Sequence, residues 1–316
     1  MVFLIVFFLL FLALIGAPLF TVFGAASILL FLSLPEGSWA SVAIDVFGSK
    51  FAESPSLMMI PLFTFAGFLL AEAGTPGRLV RVSRAWLGWL PGSLALVSLG
   101  LSAFFTTFTG GSGVTIVAVG GLLFPALLSQ KYPERFSLGL ITTGGSLGIL
   151  FPPSVPLIMY GLVASVAGAG LVLHKVLVAG LVPGFIVVVA LAIYGGTIGN
   201  KLRVPRSGFD AREAFSTLWE AKWEVAIPVV LIGGLILGLF RIHEASAFTA
   251  VYVLFIEVFV YRDIGIRRDL PRIVIESTTM VGAILAILAT AIGFTGWMVQ
   301  AQIPDLLVEW MSSVIL

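Results

Sequence analysis

The sequence predicts an all-α protein that crosses a membrane several times, and three observations predict it. The first is composition. Of 316 residues, 59% are hydrophobic and 10% charged, and the mean hydropathy is +1.14; soluble chains carry roughly 25% charged residues. The second is length. Several apolar runs reach about 20 residues, enough to cross a hydrocarbon core roughly 30 Å thick, and the alternating strands of a transmembrane barrel do not occur. The third is interruption. Between Thr106 and Gly161 the apolar sequence is broken twice, by Thr109-Gly110-Gly111-Ser112-Gly113 and by Gly144-Gly145-Ser146 through Pro152-Pro153-Ser154. Each unpaired backbone group in lipid costs several kcal/mol, so broken helices persist at membrane depth only where protein buries them or where they line a cavity. Binding sites of secondary transporters are built this way.

The net charge of +1 and the lack of a basic tract give no reason to expect nucleic acid, and with no cysteine there is no disulfide or thiolate chemistry. Residues 2–32 are apolar around Gly16-Ala17-Pro18 and form one long tilted helix or two short ones. They have no basic leading region, so an uncleaved first span is expected rather than a signal peptide. Residues 33–55 are an acidic loop or interfacial segment, and 56–73 are the next span. In 74–90, Arg78, Arg81 and Arg84 recur every three residues with Leu79, Val82, Trp86 and Trp89 opposite. This predicts a helix lying on the membrane surface, its arginines anchored to headgroups rather than to substrate. Residues 1–92 then make the scaffold helices and arm of a first repeat.

Residues 93–128 read as a re-entrant hairpin, because each arm around the first break has only about 15 residues. Residues 136–172 read as a broken helix, and 93–175 together as half of a transport domain. A connecting span and a polar loop fill 176–222, and 223–316 carry spans at about 223–240, 246–261 and 277–300 with a second arm. Basic residues place 74–90, 200–222 and 262–272 on the cytoplasmic side. Trp86, Trp89, Trp219 and Trp223 fit an interfacial belt. His174 and His243 sit beside loops and are expected to be solvated.

A weak internal repeat runs at a steady offset. The segment at Gly16 resembles that at Gly238, the span at Pro55 that at Glu276, and Pro76-Leu79-Val80 matches Pro304-Leu307-Val308. The paired segments differ in charge: basic 74–90 against acidic 301–310, acidic 33–55 against basic 262–272. Two repeats of opposite topology are expected, as in many secondary transporters. The twin of the first hairpin would start near residue 314, so the second hairpin and second broken helix are expected to be absent from this chain.

No acidic residue lies in 93–128 or 136–172, and Glu257 is the one carboxylate well inside a span. A cation at the breaks would use backbone carbonyls and the hydroxyls of Thr106, Thr107, Thr109, Ser112, Thr142, Thr143, Ser146 and Ser154, hard oxygen ligands that suit Na⁺. Half-helix N-termini near 114 and 155 suit a carboxylate. Glycines also serve plain helix packing, but two hydroxyl-bearing breaks between short arms favour a site.

GGSLGILFPPSVPLIMYG at Gly144–Gly161 resembles the most recognisable stretch of the large membrane subunit (DctM-like) of tripartite ATP-independent periplasmic (TRAP) transporters. TGGSG is similar to that family's first hairpin tip, where a serine-richer GxSGSA is commoner. Gly111 and Gly113 depart from it, which bears on side-chain rather than backbone ligation. LGLFRIHEASAFTAVY is similar to the family's GxFTPTEAAA segment, with Arg241 and His243 in place of threonines, and DLPRIVIESTTM and QIPDLLVEW also match. The resemblance implies an elevator-type, inverted-repeat, Na⁺-coupled symport permease of the inner membrane. A small four-helix membrane subunit and a periplasmic binding protein that delivers an organic acid, such as a C4-dicarboxylate or sialic acid, would be its partners, with no cofactor beyond Na⁺. The implied Na⁺ site comprises Thr109, Gly110, Gly111, Ser112, Gly113, Gly145, Ser146, Gly148 and Pro152. The implied substrate-carboxylate site comprises Ser112, Pro153 and Ser154. The alternatives are a Na⁺/carboxylate carrier of similar fold that needs no binding protein, and a non-transporting fragment of the permease. A membrane enzyme would need paired carboxylates, a Ser/His pair or HExxH at membrane depth, and none is present.

Overall fold

A computed structural model describes residues 2–34, 55–166, 173–202, 204, 208–237 and 239–315. Most of the expected acidic loop (35–54), the end of the expected broken helix (167–172), and Arg203 and Arg206 lie outside the described residues, as does the His174 side chain. No strand occurs among the described residues. Among the described residues four helices are long and apolar enough to cross a membrane, and the chain is an all-α, multi-pass membrane protein.

The helices are α1 (Val2–Leu14), α2 (Leu19–Phe31), α3 (Met59–Glu72), α4 (Thr75–Leu87), α5 (Ser93–Thr109), α6 (Ser112–Ser129) and α7 (Glu134–Leu147). After α7 come a 3₁₀ turn (Gly148–Leu150), then α8 (Val155–Val166), α9 (Leu173–Lys201), α10 (Ala211–Glu220), α11 (Lys222–Ile236) and α12 (Ile242–Phe255). A π turn (Ile256–Val260) follows α12, and α13 (Asp269–Gln300) and α14 (Ile303–Ile315) complete the order. Of the two readings of residues 2–32, two short helices are found. The chain turns at Gly16, whose φ of +84° is left-handed, and Pro18 both lacks an N–H and pushes Ala17 out of helical geometry.

One compact unit comprises 1–57, 159–172 and 279–316. Its core joins Leu9, Ala26 and Leu30 to Phe294 and Trp297. Close packing is possible because Gly24 faces Thr290 and because the Ser27 hydroxyl lies 2.8 Å from the Phe23 carbonyl and 2.9 Å from that of Thr290. Between membrane helices such small residues and hydroxyls replace the hydrophobic drive that water would supply.

The second unit comprises 58–158 and 173–278. Its interior is aromatic and aliphatic, with Phe63, Phe105, Phe108 and Leu69 fully buried and Phe63 6.4 Å from Phe108. α4 turns 73° away from α3. Its three arginines do not all point outward as the headgroup anchors that their spacing predicts. α10, a helix within the polar stretch, packs along it: Trp86 Nε1 donates to Ala214 O at 3.2 Å, its ring meets Phe215 at 6.3 Å, and Arg81 pairs with Glu220 at 2.8 Å. Arg78 is buried, at 8% exposure, where an anchor was expected. Its partners Glu224, Glu257 and Asp263 lie far along the chain and supply the counter-charge that lets the guanidinium turn inward. Arg81 and Arg84 remain exposed.

Elements recur at the offset seen in the sequence: α2 and α12 have 13 and 14 residues, and α4 and α14 have 13 each. α14 begins at Ile303, near the position the Pro76–Pro304 match assigns to it.

Candidate functional site

The first break is a two-residue turn between α5 and α6, which pack against each other as a hairpin. Gly110 closes α5 with φ +65°, a conformation that costs a side-chain-bearing residue dearly. Its Cα also faces Val155 at the start of α8, so a Cβ there would come within 2.7 Å of the valine. Gly67 of α3 lies under the same tip, where a Cβ would fall 2.6 Å from the Thr109 amide.

The second break receives the hairpin. Gly144, Gly145 and Gly148 present bare backbone to α5 and α6. A Cβ on Gly145 would sit 2.6 Å from Ile116 and 3.4 Å from the Ser112 carbonyl, and one on Gly148 would sit 2.3 Å from the Ala103 carbonyl. Hydroxyls then stitch the surfaces. Thr106 Oγ1 donates to Gly145 O at 2.8 Å and lies 2.9 Å from Thr115 Oγ1, which is 3.2 Å from Thr109 Oγ1. Thr109 Oγ1 is 3.3 Å from Gly111 O, and Thr107 Oγ1 is 3.2 Å from Gly148 O. Thr106, Thr109 and Thr115 are fully buried. The result is a set of carbonyl and hydroxyl oxygens shared by the hairpin and the broken helix, of the chemistry that binds alkali cations. Among the described residues no group of three His, Cys, Asp or Glu could hold a metal.

Thr109, Gly110, Gly111, Ser112, Gly145 and Gly148 therefore come together at this contact. Ser146 is exposed, on another side of α7 from its glycine neighbours, and Gly113 is exposed on the first turn of α6. Pro152 and Pro153, joined by a cis peptide, line a different space. This is a largely apolar cavity of about 280 Å³ bounded also by Phe104, Thr107, Phe108 and Leu231. Ser154 is buried, and its Oγ accepts from Leu157 N–H at 3.3 Å, capping α8 with its own side chain. The amides of the first turn of α6, by contrast, have no side-chain cap. Thr142 is exposed and bonds back to the carbonyls of Leu138 and Gly139 at 2.9 and 3.1 Å, away from the contact.

Two kinds of residue are added by the structure. Thr115 completes the hydroxyl set from one turn inside α6, beyond the glycine tip that drew attention in the sequence. Carboxylates also approach the tip from outside both breaks. A second cavity, of about 440 Å³, is lined by Gly113, Val114 and Val117 together with Glu72 of α3 and Glu276 of α13. Arg272 bridges these acids, 2.5 Å from Glu72 and 3.8 Å from Glu276. No local sequence pattern links residues about 200 positions apart.

The chain matches the family model for the tripartite ATP-independent periplasmic transporter, DctM component, over residues 4–316. It is similar to the C4-dicarboxylate TRAP transporter large permease protein DctM of Rhodobacter capsulatus, with 34% identity over 314 residues, 95% of this chain and 70% of that protein. The protein of the same name from Vibrio cholerae is 30% identical over 318 residues, 95% of this chain and 69% of that protein. The sialic acid TRAP transporter large permease protein SiaM of Vibrio cholerae is 28% identical over 263 residues, 82% of this chain and 60% of that protein.

Proposed function

Because the chain belongs to the DctM-component family of tripartite ATP-independent periplasmic transporters, whose members are permease subunits rather than enzymes, we propose that it is the permease of a Na⁺-coupled importer of an organic acid. It works in the inner membrane with a small four-helix subunit and a periplasmic binding protein, by an elevator motion. The C4-dicarboxylates and sialic acid named for its relatives support that substrate class. The observation that carries the reading is the seating of the hairpin tip on the glycine run of the broken helix, where the polar contacts are made by carbonyl and hydroxyl oxygens. An uncharged oxygen cage holds a monovalent cation without fixing a proton, and closing it couples occupancy to the relative position of hairpin and helix. The Na⁺ ligands are drawn from Thr109, Gly110, Gly111, Ser112, Gly145 and Gly148, and the uncapped first turn of α6 at Ser112 offers its amides to the carboxylate.

The test is uptake by the complete transporter reconstituted with its partner subunits, measured against external Na⁺. Thr109→Val, or a bulky residue at Gly145, should raise the Na⁺ concentration needed for half-maximal uptake while membrane insertion is unchanged. Unaltered Na⁺ activation in both variants refutes this placement. Efficient uptake by the chain alone in liposomes refutes dependence on a binding protein.

A further inference from the structure

Away from the hairpin, a second polar assembly surrounds Arg78. Its Nε donates to Glu224, its Nη1 to Asp263 at 2.6 Å and its Nη2 to Glu257 at 3.1 Å, and its guanidinium lies 3.8 Å over the Tyr261 ring. Thr75 Oγ1 is 2.8 Å from the other oxygen of Glu257, and the Gly74 amide donates to Asp263 at 2.9 Å. The Tyr261 hydroxyl lies 2.6 Å from the Glu220 carbonyl and 3.2 Å from Glu224. Four segments meet here: the start of α4, the start of α11, the π turn and the loop after it. The π turn aims Glu257 inward, and the Glu257 carbonyl is tied to the amides of Asp263 and Ile264.

The charges do not balance. Three carboxylates face one guanidinium, and both glutamates have 0% exposure while the Asp263 side chain keeps 26%. The other charged groups on the packed elements are engaged or turned out. Arg81 pairs with Glu220, Lys222 lies 3.8 Å over Trp219, and Arg84 and Arg262 are exposed. The Tyr261 hydroxyl is satisfied as a donor by the Glu220 carbonyl. Two uncompensated negative charges in so dry a place repel strongly. One bound proton relieves most of this, leaving a charge that the half-wet Asp263 can carry. Glu257 is the natural holder: its contact with Arg78 is the longest of the three, and its 2.8 Å contact with the Thr75 hydroxyl serves a carboxylic O–H as donor as well as a carboxylate as acceptor.

We propose that the Arg78 cluster is a proton-operated latch, in which one proton at Glu257 holds α4 to α11 and the π turn and its loss loosens that contact. The hairpin oxygen set takes no part, so the latch stands or falls independently of the Na⁺ assignment.

Thermal unfolding of the full chain in lipid nanodiscs, followed through its seven tryptophans between about pH 6 and pH 9, tests it. A folded state that keeps a proton the unfolded chain releases loses stability as pH rises. The wild type should therefore lose several degrees in Tm across that range. Glu257→Gln, which imitates the protonated carboxyl, should keep the acidic Tm and remove the slope, whereas Glu224→Gln should not reproduce this. A flat wild-type profile, or an unchanged slope in Glu257→Gln, overturns the proposal. Should that variant fail to fold, hydrogen exchange of the wild type decides. Amides of 75–87 should exchange severalfold faster at the alkaline end, corrected for intrinsic rate, while those of 93–129 do not. Equal acceleration of both segments overturns the latch.

Discussion

Gly148→Ala tests how tightly the hairpin seats on the broken helix. The added Cβ would meet Ala103 O at 2.3 Å, Thr107 N at 2.5 Å and Thr106 Cβ at 2.6 Å. Two of these are backbone atoms, so no side chain can swing away, and the two elements must part by about 1 Å to regain van der Waals contact. Overpacking of this kind costs about 1–3 kcal/mol. The 3.2 Å contact from Thr107 Oγ1 to Gly148 O lies across the widened gap, and its loss adds about 1 kcal/mol. Replacing glycine returns roughly 0.5–1 kcal/mol through the unfolded chain. The net expectation is destabilisation by about 2 kcal/mol. Gly139→Ala is the control: it lies in α7, and nothing is within 4 Å of its would-be Cβ, so it should stabilise by roughly 0.5–1 kcal/mol through helix propensity. Reversible unfolding in mixed micelles with increasing SDS measures both on one scale. A Gly148→Ala variant as stable as Gly139→Ala would falsify the close-seating account.

Other outcomes follow from single contacts. Tyr132 is 3% exposed and its hydroxyl has no hydrogen-bond partner among the described residues. Burial pushes that hydroxyl's pKa up, and Tyr132→Phe should leave stability unchanged or raise it by about 1 kcal/mol in the same SDS titration. Asp210 caps α10 by accepting from Arg212 N at 2.8 Å, so Asp210→Ala should weaken that helix by about 1 kcal/mol, read as faster tryptic cleavage after Arg212. Arg272→Ala, whose pairs with Glu72 and Glu276 are half-exposed, should leave the midpoint of that SDS titration nearly unchanged.

Features encoded within a short window were legible in the sequence. Glycine and proline at 16–18, glycines at 110–111 and the glycine-to-proline run after 144 each end a helix for a reason local to those residues, and the breaks fall there. Thr109, Gly145 and Gly148 were recognisable because unusual residues sit inside apolar sequence. What escaped depends on partners distant in the chain. Nothing near Arg78 announces Glu224, Glu257 and Asp263, so regular spacing with Arg81 and Arg84 read as a solvated face. Glu72 and Glu276 meet the tip only through folding, as does Thr115 with Thr106. α10 was hidden differently: charge counting marked 200–222 as a loop, yet Ala214 and Phe215 with the Asp210 cap specify an amphipathic turn that packs on Trp86.

The oxygen set under the hairpin contains peptide carbonyls and threonine hydroxyls, none of which changes protonation near neutral pH. A cation bound there, as proposed, would meet no competition from hydronium, so mild acidification would not dilute its occupancy. A carboxylate cage would lose its cation to protons under the same conditions. Sensitivity to pH would then lie elsewhere, with the carboxylates that surround Arg78 or line the second cavity, and separate substitutions would alter the two properties.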